Sequence, residues 1–329
     1  MKWIFKLVIV AALLWSGYWY IGAEAQKKLY TELVQDGRAR GWTLDSQNLE
    51  VVGFPNRFDT SMTDLAFFDP SGLWGWQGAE FQIKALSYQP NHIIMAWPGV
   101  QRLQTPAGAL SLNAALLRAS LVLNPASTLP LDRLQIEGRD IDLKGAQGWA
   151  ASVATLGAAL FKHEIAIRQY RFGVEMTNIT APVARLSALN RGANLPEQIE
   201  RLNISAQLEF DREIDRASFA SGVIPRPISA IIAPSVMVWG ESKLTVEGDL
   251  AATPNGYIEG QLNFEVSGWQ ALFDVFNQVT NLRPSEAEAV QRALEGASAD
   301  GRLVFTVNFD NGSTRIGPFT IGPAPAYPF

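Results

Sequence analysis

The sequence predicts a mainly β protein: antiparallel, hairpin-rich sheet with room for an open groove, a few short helices, and one N-terminal transmembrane helix. Three observations predict it. Apolar residues recur with period two over several runs, which is the strand period. Asn-Gly pairs, favoured in tight hairpins, follow two of those settings at Pro254-Asn255-Gly256 and Asp310-Asn311-Gly312. The chain opens MKWIFKLVIVAALLWSGYWYIGAEAQKK, in which Leu7 to Ala23 is 17 residues without a charge.

That first run rises about 26 Å as a helix, near the roughly 30 Å of a bilayer's hydrocarbon core. Trp3, Ile4 and Phe5 complete the span if Lys6 snorkels to the headgroups. Trp3 marks one interface; Trp15, Tyr18, Trp19 and Tyr20 approach the other, as aromatic belts do. The expected membrane-interface residues are therefore Trp3, Lys6, Trp15, Trp19 and Tyr20. Lys2 and Lys6 favour a cytoplasmic start. Ala23-Glu24-Ala25 also has the small-x-small form of a signal-peptidase site, so a retained anchor and a cleaved leader both stand. Bulky aromatics just before the site favour the anchor. Either way the chain enters the export pathway, and the expected location is the inner membrane with the C-terminal part in the periplasm.

The expected organisation is an anchor over 1–23, a helical stalk over 24–41, and a β-rich domain over 42–329, with a sub-division near 181–196. AEFQIKA sets Ala79, Phe81, Ile83 and Ala85 against Glu80, Gln82 and Lys84. GYIEGQLNFEV and GRLVFTVNFDNG repeat the alternation, with Leu262, Phe264 and Val266, then Leu303, Phe305, Val307 and Phe309. One-sided alternation marks antiparallel sheet with one covered face and one wet face. Ser267 can cap a helix carrying Trp269, Leu272, Phe273, Phe276 and Val279 on its apolar side. Ser285-Glu286-Ala287-Glu288 begins a second helix that Gly296 ends. A third helix is read over Trp149 to Phe161. Pro225, Pro227 and Pro234 are read as a linker or sheet crossing, and the tail GPFTIGPAPAYPF as an edge or extended cover. Arg133-Leu134-Gln135-Ile136 echoes Arg201-Leu202-Asn203-Ile204 as two similar strands.

Composition excludes several kinds of chemistry. The chain has 329 residues, net charge −5 from 27 basic and 32 acidic residues, and no cysteine. Disulfides, cysteine nucleophiles and thiolate metal sites are therefore out. No dense basic run points to nucleic acid. His92 and His163 have no neighbour at metal-ligand spacing. No G-x-S-x-G nucleophile elbow is present; Gly296-Ala297-Ser298-Ala299-Asp300 comes closest and sits at a helix end, not between strand and helix. Glu209, Asp211, Glu213 and Asp215 would share one face of a strand, and a cation such as calcium is the chemistry to weigh; interleaved Arg212 and Arg216 favour a solvated face. No catalytic residue, metal or cofactor is expected, and the protein is read as no enzyme. Apolar sheet surface is what remains. It would suit lipid acyl chains, with Trp74, Trp76, Phe81 and Trp97 as candidate groove residues.

The stretch GFPNRFDTSMTDLAFFDPSGLWGW parses as a turn at Gly53-Phe54-Pro55, a strand, an Asp69-Pro70-Ser71-Gly72 type I turn, and a return strand. Leu65 and Phe67 have the wrong parity for the row Phe58, Thr60, Met62, so a bulge near Thr63 or Asp64 is expected. These motifs carry a resemblance. GFPNRFD, then DP, then WGW, then QPNHIIMAWPG, then Trp239-Gly240 with KLTVEGDL, and the close Phe309-Asp310-Asn311-Gly312 with IGPFTIGPAPAYPF resemble, in order and spacing, the alphaproteobacterial membrane-anchored envelope proteins of domain-of-unknown-function family 2125. The tail departs, with Pro-Ala-Tyr-Pro in place of Pro-Pro-hydrophobic-Tyr. The resemblance covers essentially the whole chain and implies an N-terminal membrane helix but no activity. The style is distantly similar to AsmA-like envelope proteins, which implies lipid transfer by fold analogy alone. Two functions follow as expectations: non-enzymatic handling or shielding of membrane lipid, or docking of other envelope proteins through a sheet edge.

Overall fold

The computed structural model describes residues 2–146, 148–180, 195–220, 223–280 and 283–327. It is mostly antiparallel β-structure with an N-terminal helix, α1, over Lys2–Ala39. The chain forms two compact units: 1–125 with 134–148, and 126–133 with 149–329. The sub-division expected near 181–196 falls almost wholly outside the described residues.

In the first unit the strands are β1 (Thr43–Asp45), β2 (Asn48–Val52), β3 (Arg57–Phe68), β4 (Gly75–Leu86), β5 (Gln89–Ala96), β6 (Gln101–Thr105), β7 (Gly108–Leu123) and β8 (Leu131–Gly145). β1 and β2 both pair with β3, β3 with β4, and β4 with both β5 and β6, which in turn pair with β7. β8 is tied to β7 by the Arg118–Glu137 ion pair and by the Ala146 N–H donating to Ala109 O. Register places Phe58 beside Ala85, Ile93 and Leu121, and Thr60 beside Ile83, Met95 and Ala119. These rows are the unit's apolar face.

α1 is one continuous helix of 38 residues, about 57 Å long. The stretch expected as a stalk over 24–41 is its second half, and it lies against the sheet. Ala23, Val51 and Phe58 form a buried cluster with Trp19 and Leu49 around it. Arg38 donates to Leu44 O and pairs with Asp45, and Trp42 stacks on Phe67 at 4.6 Å. No bulge interrupts β3. Its register with β4 runs unbroken from Arg57↔Leu86 to Phe68↔Gly75, skipping only Asp64, which adopts a positive φ of 48°. A short polar side chain tolerates that conformation. The parity mismatch is thus absorbed by one left-handed residue rather than by an inserted one, and Phe67 finds its partner in Trp42.

The second unit is a meander of nine strands: β9 (Ala150–Lys162), β10 (Gln169–Thr180), β11 (Gln198–Phe210), β12 (Pro227–Trp239), β13 (Ser242–Ala252), β14 (Ile258–Ser267), β15 (Arg302–Asp310), β16 (Ser313–Ile316) and β17 (Phe319–Pro323). Each pairs antiparallel with the next. Among the described residues three helices join it: α2 (Arg216–Ala220), α3 (Trp269–Thr280) and α4 (Pro284–Ala297). The last two fall where Ser267 and Ser285 signalled them, although the side chains of Phe276 and Val279 lie outside the described ones.

Two expectations are overturned here. The helix read over Trp149 to Phe161 is β9. Its alanines and leucines favour helix locally, but pairing with β10 from Tyr170↔Lys162 to Thr180↔Ser152 prevails. The segment read as a linker around Pro227 and Pro234 is β12, flanked by β11 and β13. Pro234 occupies the register shift between Ile232 and Ser235, where no ladder N–H is required. At the chain's end, β17 pairs with β16 alone among the described strands, which fits the edge expected of a proline-rich tail.

Candidate functional site

Cross-strand register in the second unit aligns one side chain from each strand into rows. One row runs Leu160, Phe172, Ala206, Ile232, Gly248, Leu262, Val307 and Ile316 across eight strands. Another runs Leu156, Met176, Leu202, Met237, Leu244, Val266 and Leu303. Eight strands about 4.8 Å apart make the first row about 34 Å long. The rows of the other face carry Glu175, Asn203, Thr245 and Glu265, or Thr177, Arg201, Lys243 and Arg302. The Ala233-Pro234 irregularity keeps Ile232 and Met237, of opposite parity, on the same side.

Helices cover only part of this face among the described residues. Trp269 and Phe273 of α3 pack on Val266 and Leu303, with Leu244, Leu272, Leu294 and Phe305 around them. Away from that cluster Phe172, Ile204, Ile232, Val246, Leu262 and Phe264 remain half-buried. Phe264 and Phe305 stack with centroids 5.0 Å apart and planes within 5°. The indole N–H of Trp269 is buried without a hydrogen-bond partner, an arrangement that costs about 1–3 kcal/mol.

In the first unit, three of the four candidate groove residues come together. Trp76 meets Phe81 edge-on at 5.8 Å, and Phe81 meets Trp97 at 5.4 Å. The Trp76 indole donates to the Gln101 side chain. Trp74 is elsewhere, exposed between the 69–72 turn and β4, where its backbone N–H donates to the Asp69 carboxylate. That turn closes with Gly72 N–H on Asp69 O, and the Ser71 hydroxyl beside Asp69 holds its carboxyl below the usual range. A hollow of about 490 Å³ lies near the left-handed Asp64, lined also by Leu65, Ala66, Gln77 and Arg102.

The interface residues expected on α1 divide in two. Trp3, Lys6 and Tyr20 are exposed. Trp15 and Trp19 instead reach across to the sheet. The Trp15 indole donates to Pro55 O at 2.9 Å, the Trp19 indole to Arg57 O at 2.7 Å, and the Tyr18 hydroxyl to Ser87 O at 2.7 Å. Trp19 stacks on Phe58 at 5.9 Å and meets Phe54 edge-on at 5.5 Å. The Phe54–Pro55 peptide in this turn is cis. Sequence reasoning missed the docking because the same aromatic cluster reads equally well as a membrane belt; only the apposed turn shows where its donors go.

The acidic quartet does not share a strand face, since β11 ends at Phe210. Each member has its own partner. Glu209 pairs with Arg168, Asp211 with Arg212, Glu213 with Lys162, and Asp215 accepts from the N–H and hydroxyl of Ser218 at the start of α2. His92 bonds Ser120, and His163 Nδ1 accepts from the N–H groups of Ile165 and Ala166. Among the described residues no three His, Asp or Glu side chains gather at metal-ligand range.

No curated protein and no solved structure matches the chain. The similarity to AsmA-like proteins thus gains no support from these comparisons. One family, described as an uncharacterized protein conserved in bacteria and designated DUF2125, matches residues 19–325, from the docking tryptophan of α1 to the tail just beyond β17. The chain belongs to that family.

Proposed function

We propose that this is a non-enzymatic envelope protein, held in the inner membrane by α1 with its sheets in the periplasm, that shields or passes lipid along apolar sheet faces. The observation that carries the reading is the set of apolar rows across β9 to β15, which α3 covers only in part, near Ile199, Trp239, Leu244, Val266 and Leu303, among the described residues. An acyl chain is long, narrow and without hydrogen-bonding groups. A row of side chains about 34 Å long, backed by a hydrogen-bonded sheet, offers it contact without leaving a polar group unsatisfied. α1 supports the location, being long and apolar enough to cross a membrane.

A second reading, docking of other envelope proteins, is favoured by β17. It pairs with β16 alone among the described strands and exposes Phe319 and Ile321. Unpaired edge groups are templates for strand addition. One experiment separates the two. A photoreactive benzophenone side chain replaces Phe264, Val304 or Ile321 in the full chain, cells are irradiated, and the purified protein is weighed intact. Lipid handling gives a phospholipid adduct at 264 and none at 304, which is exposed on the opposite face. Absence of lipid at 264, or equal labelling at 264 and 304, overturns that reading. A protein adduct at 321 with no lipid at 264 decides for docking.

A further inference from the structure

The contacts between α1 and the 53–57 turn fix a height. Ala23 ends the uncharged run, and Trp15 lies eight residues before it, about 12 Å back along the helix axis. A turn bonded to Trp15 therefore stands beside the outer part of the span, well below the first charged residue, Glu24. We infer that this turn, with the neighbouring Tyr88, is a lip immersed in the leaflet that α1 leaves, so that the protein touches the bilayer at a second place. The inference rests on the proposed anchoring of α1.

Two features of the turn suit it to that medium. Apolar side chains are exposed on it and beside it, Val52 at 54%, Phe54 at 56% and Tyr88 at 59%, together with Pro55, while the polar Asn56 and Arg57 are exposed as well. Four of its five carbonyls, and that of Ser87, also have donors. Gly53 O accepts from Arg57 N–H, Asn56 O from Ser87 N–H, Pro55 O from Trp15, Arg57 O from Trp19 and Ser87 O from Tyr18. Pro55 has no N–H to satisfy, and Ser87 is fully buried. A loop facing water has no need of three side-chain donors from a neighbouring helix. Backbone facing hydrocarbon does, because each unsatisfied group there costs several kcal/mol. Two residues after Pro55, the exposed Arg57, paired with Asp59, stands at the height of Trp19, where a long cationic side chain reaches headgroup phosphate.

The lip adjoins the apolar rows, whose first residue is packed beneath α1. Phe58, the next buried residue after the turn, heads the row through Ala85, Ile93 and Leu121. The partner of this surface is thus the acyl-chain and headgroup boundary of the membrane in which α1 sits.

The cysteine-free chain makes the test clean. Single cysteines at Phe54, Tyr88, Leu13 and Ala251 are labelled with an environment-sensitive fluorophore. The full-length protein is reconstituted in vesicles of phosphatidylethanolamine and phosphatidylglycerol carrying nitroxide-labelled acyl chains. The labels at 54 and 88 are expected to be quenched by the nitroxide lipids at least twofold more than the label at 251, and to be shielded from aqueous iodide. Quenching at 13 with 54 and 88 behaving like 251 overturns the lip while the anchor stands. No quenching at 13 overturns the anchor and the lip together. The label at 54 is on an exposed side chain, and a thermal melt matching that of the unsubstituted chain confirms that each variant is folded.

Discussion

Tyr170 shows how a single side chain is bound to its surroundings. It is fully buried, meets Phe210 edge-on at 5.5 Å, and points its hydroxyl at Leu131 O. Burial pushes its phenol up to about 12 from 10.0, with the carboxylates of Glu213, Asp215 and Asp132 adding to the effect. A raised folded-state value means that the unfolded chain releases its proton first. The stability this phenol contributes is complete below about pH 10 and is lost as pH rises toward 12. Urea denaturation at intervals between pH 8 and 12 is expected to show that decline, and Tyr170→Phe to remove part of it. An identical decline in the variant would contradict the assignment. The burial of Tyr170 was not legible in the sequence, where it sits in a polar neighbourhood, Arg168 to Arg171; it is buried because Leu131 and Ile214, far away in the chain, join over it. The acidic quartet was misread for a related reason. Spacing by two implies a common face only while the strand lasts, and β11 stops before Asp211.

Helices α3 and α4 were readable because their main signal is local, apolar residues at helical spacing; the caps were read a residue or two off, since Ser267 ends β14 while Ser285 and Gly296 lie inside α4. The hairpins at Asn255-Gly256 and Asn311-Gly312 were readable for the same reason, and both glycines take positive φ. β9 and β12 were not, because each contradicts its own composition and is a strand only by virtue of its neighbours. The apolar rows were half legible. Alternation gives the inward side of each strand, but which residues stand side by side depends on register, and register across β12 depends on the irregularity at Ala233-Pro234. The docking of α1 depends on a residue that carries no side chain. A Cβ on Gly22 would stand 2.6 Å from Cζ of Phe58, which is itself held between Ala23 and Val51. Gly22→Leu is expected to wedge the helix off β3 and cost about 1–3 kcal/mol, the usual range for overpacking. Chemical denaturation of the detergent-solubilised protein measures it; a loss under about 0.5 kcal/mol, the ordinary surface range, would show that this contact is slack.

Anchor, sheets and family match bear together on where the protein works. The matched region begins at Trp19, inside α1, so the family pattern includes the end of the helix that docks as well as the sheets. The proposed topology predicts that a reporter enzyme active only after export, fused behind Phe329, is active in cells. A fluorescent protein that matures only in the cytoplasm, fused at the same place, is expected to stay dark. Bright cytoplasmic fluorescence with no enzyme activity would refute the topology. The lipid reading draws on the apolar rows of both units, each described by its own register, and on a helix whose outer end is bound to one of them.

The order of the second unit's strands has a consequence for how the chain comes to be folded at all. From β10 to β17 every described strand lies beside its immediate predecessor. On the proposed export route, a polypeptide threaded through a membrane pore arrives from its N-terminal end, one segment at a time. In a meander, each newly arrived strand finds its partner already in place, so the sheet can grow as fast as the chain is delivered. No strand waits for one still on the far side, and the exposed edge moves steadily toward the C-terminus. Stalled translocation would then leave a shorter sheet with an open edge, rather than a collapsed tangle.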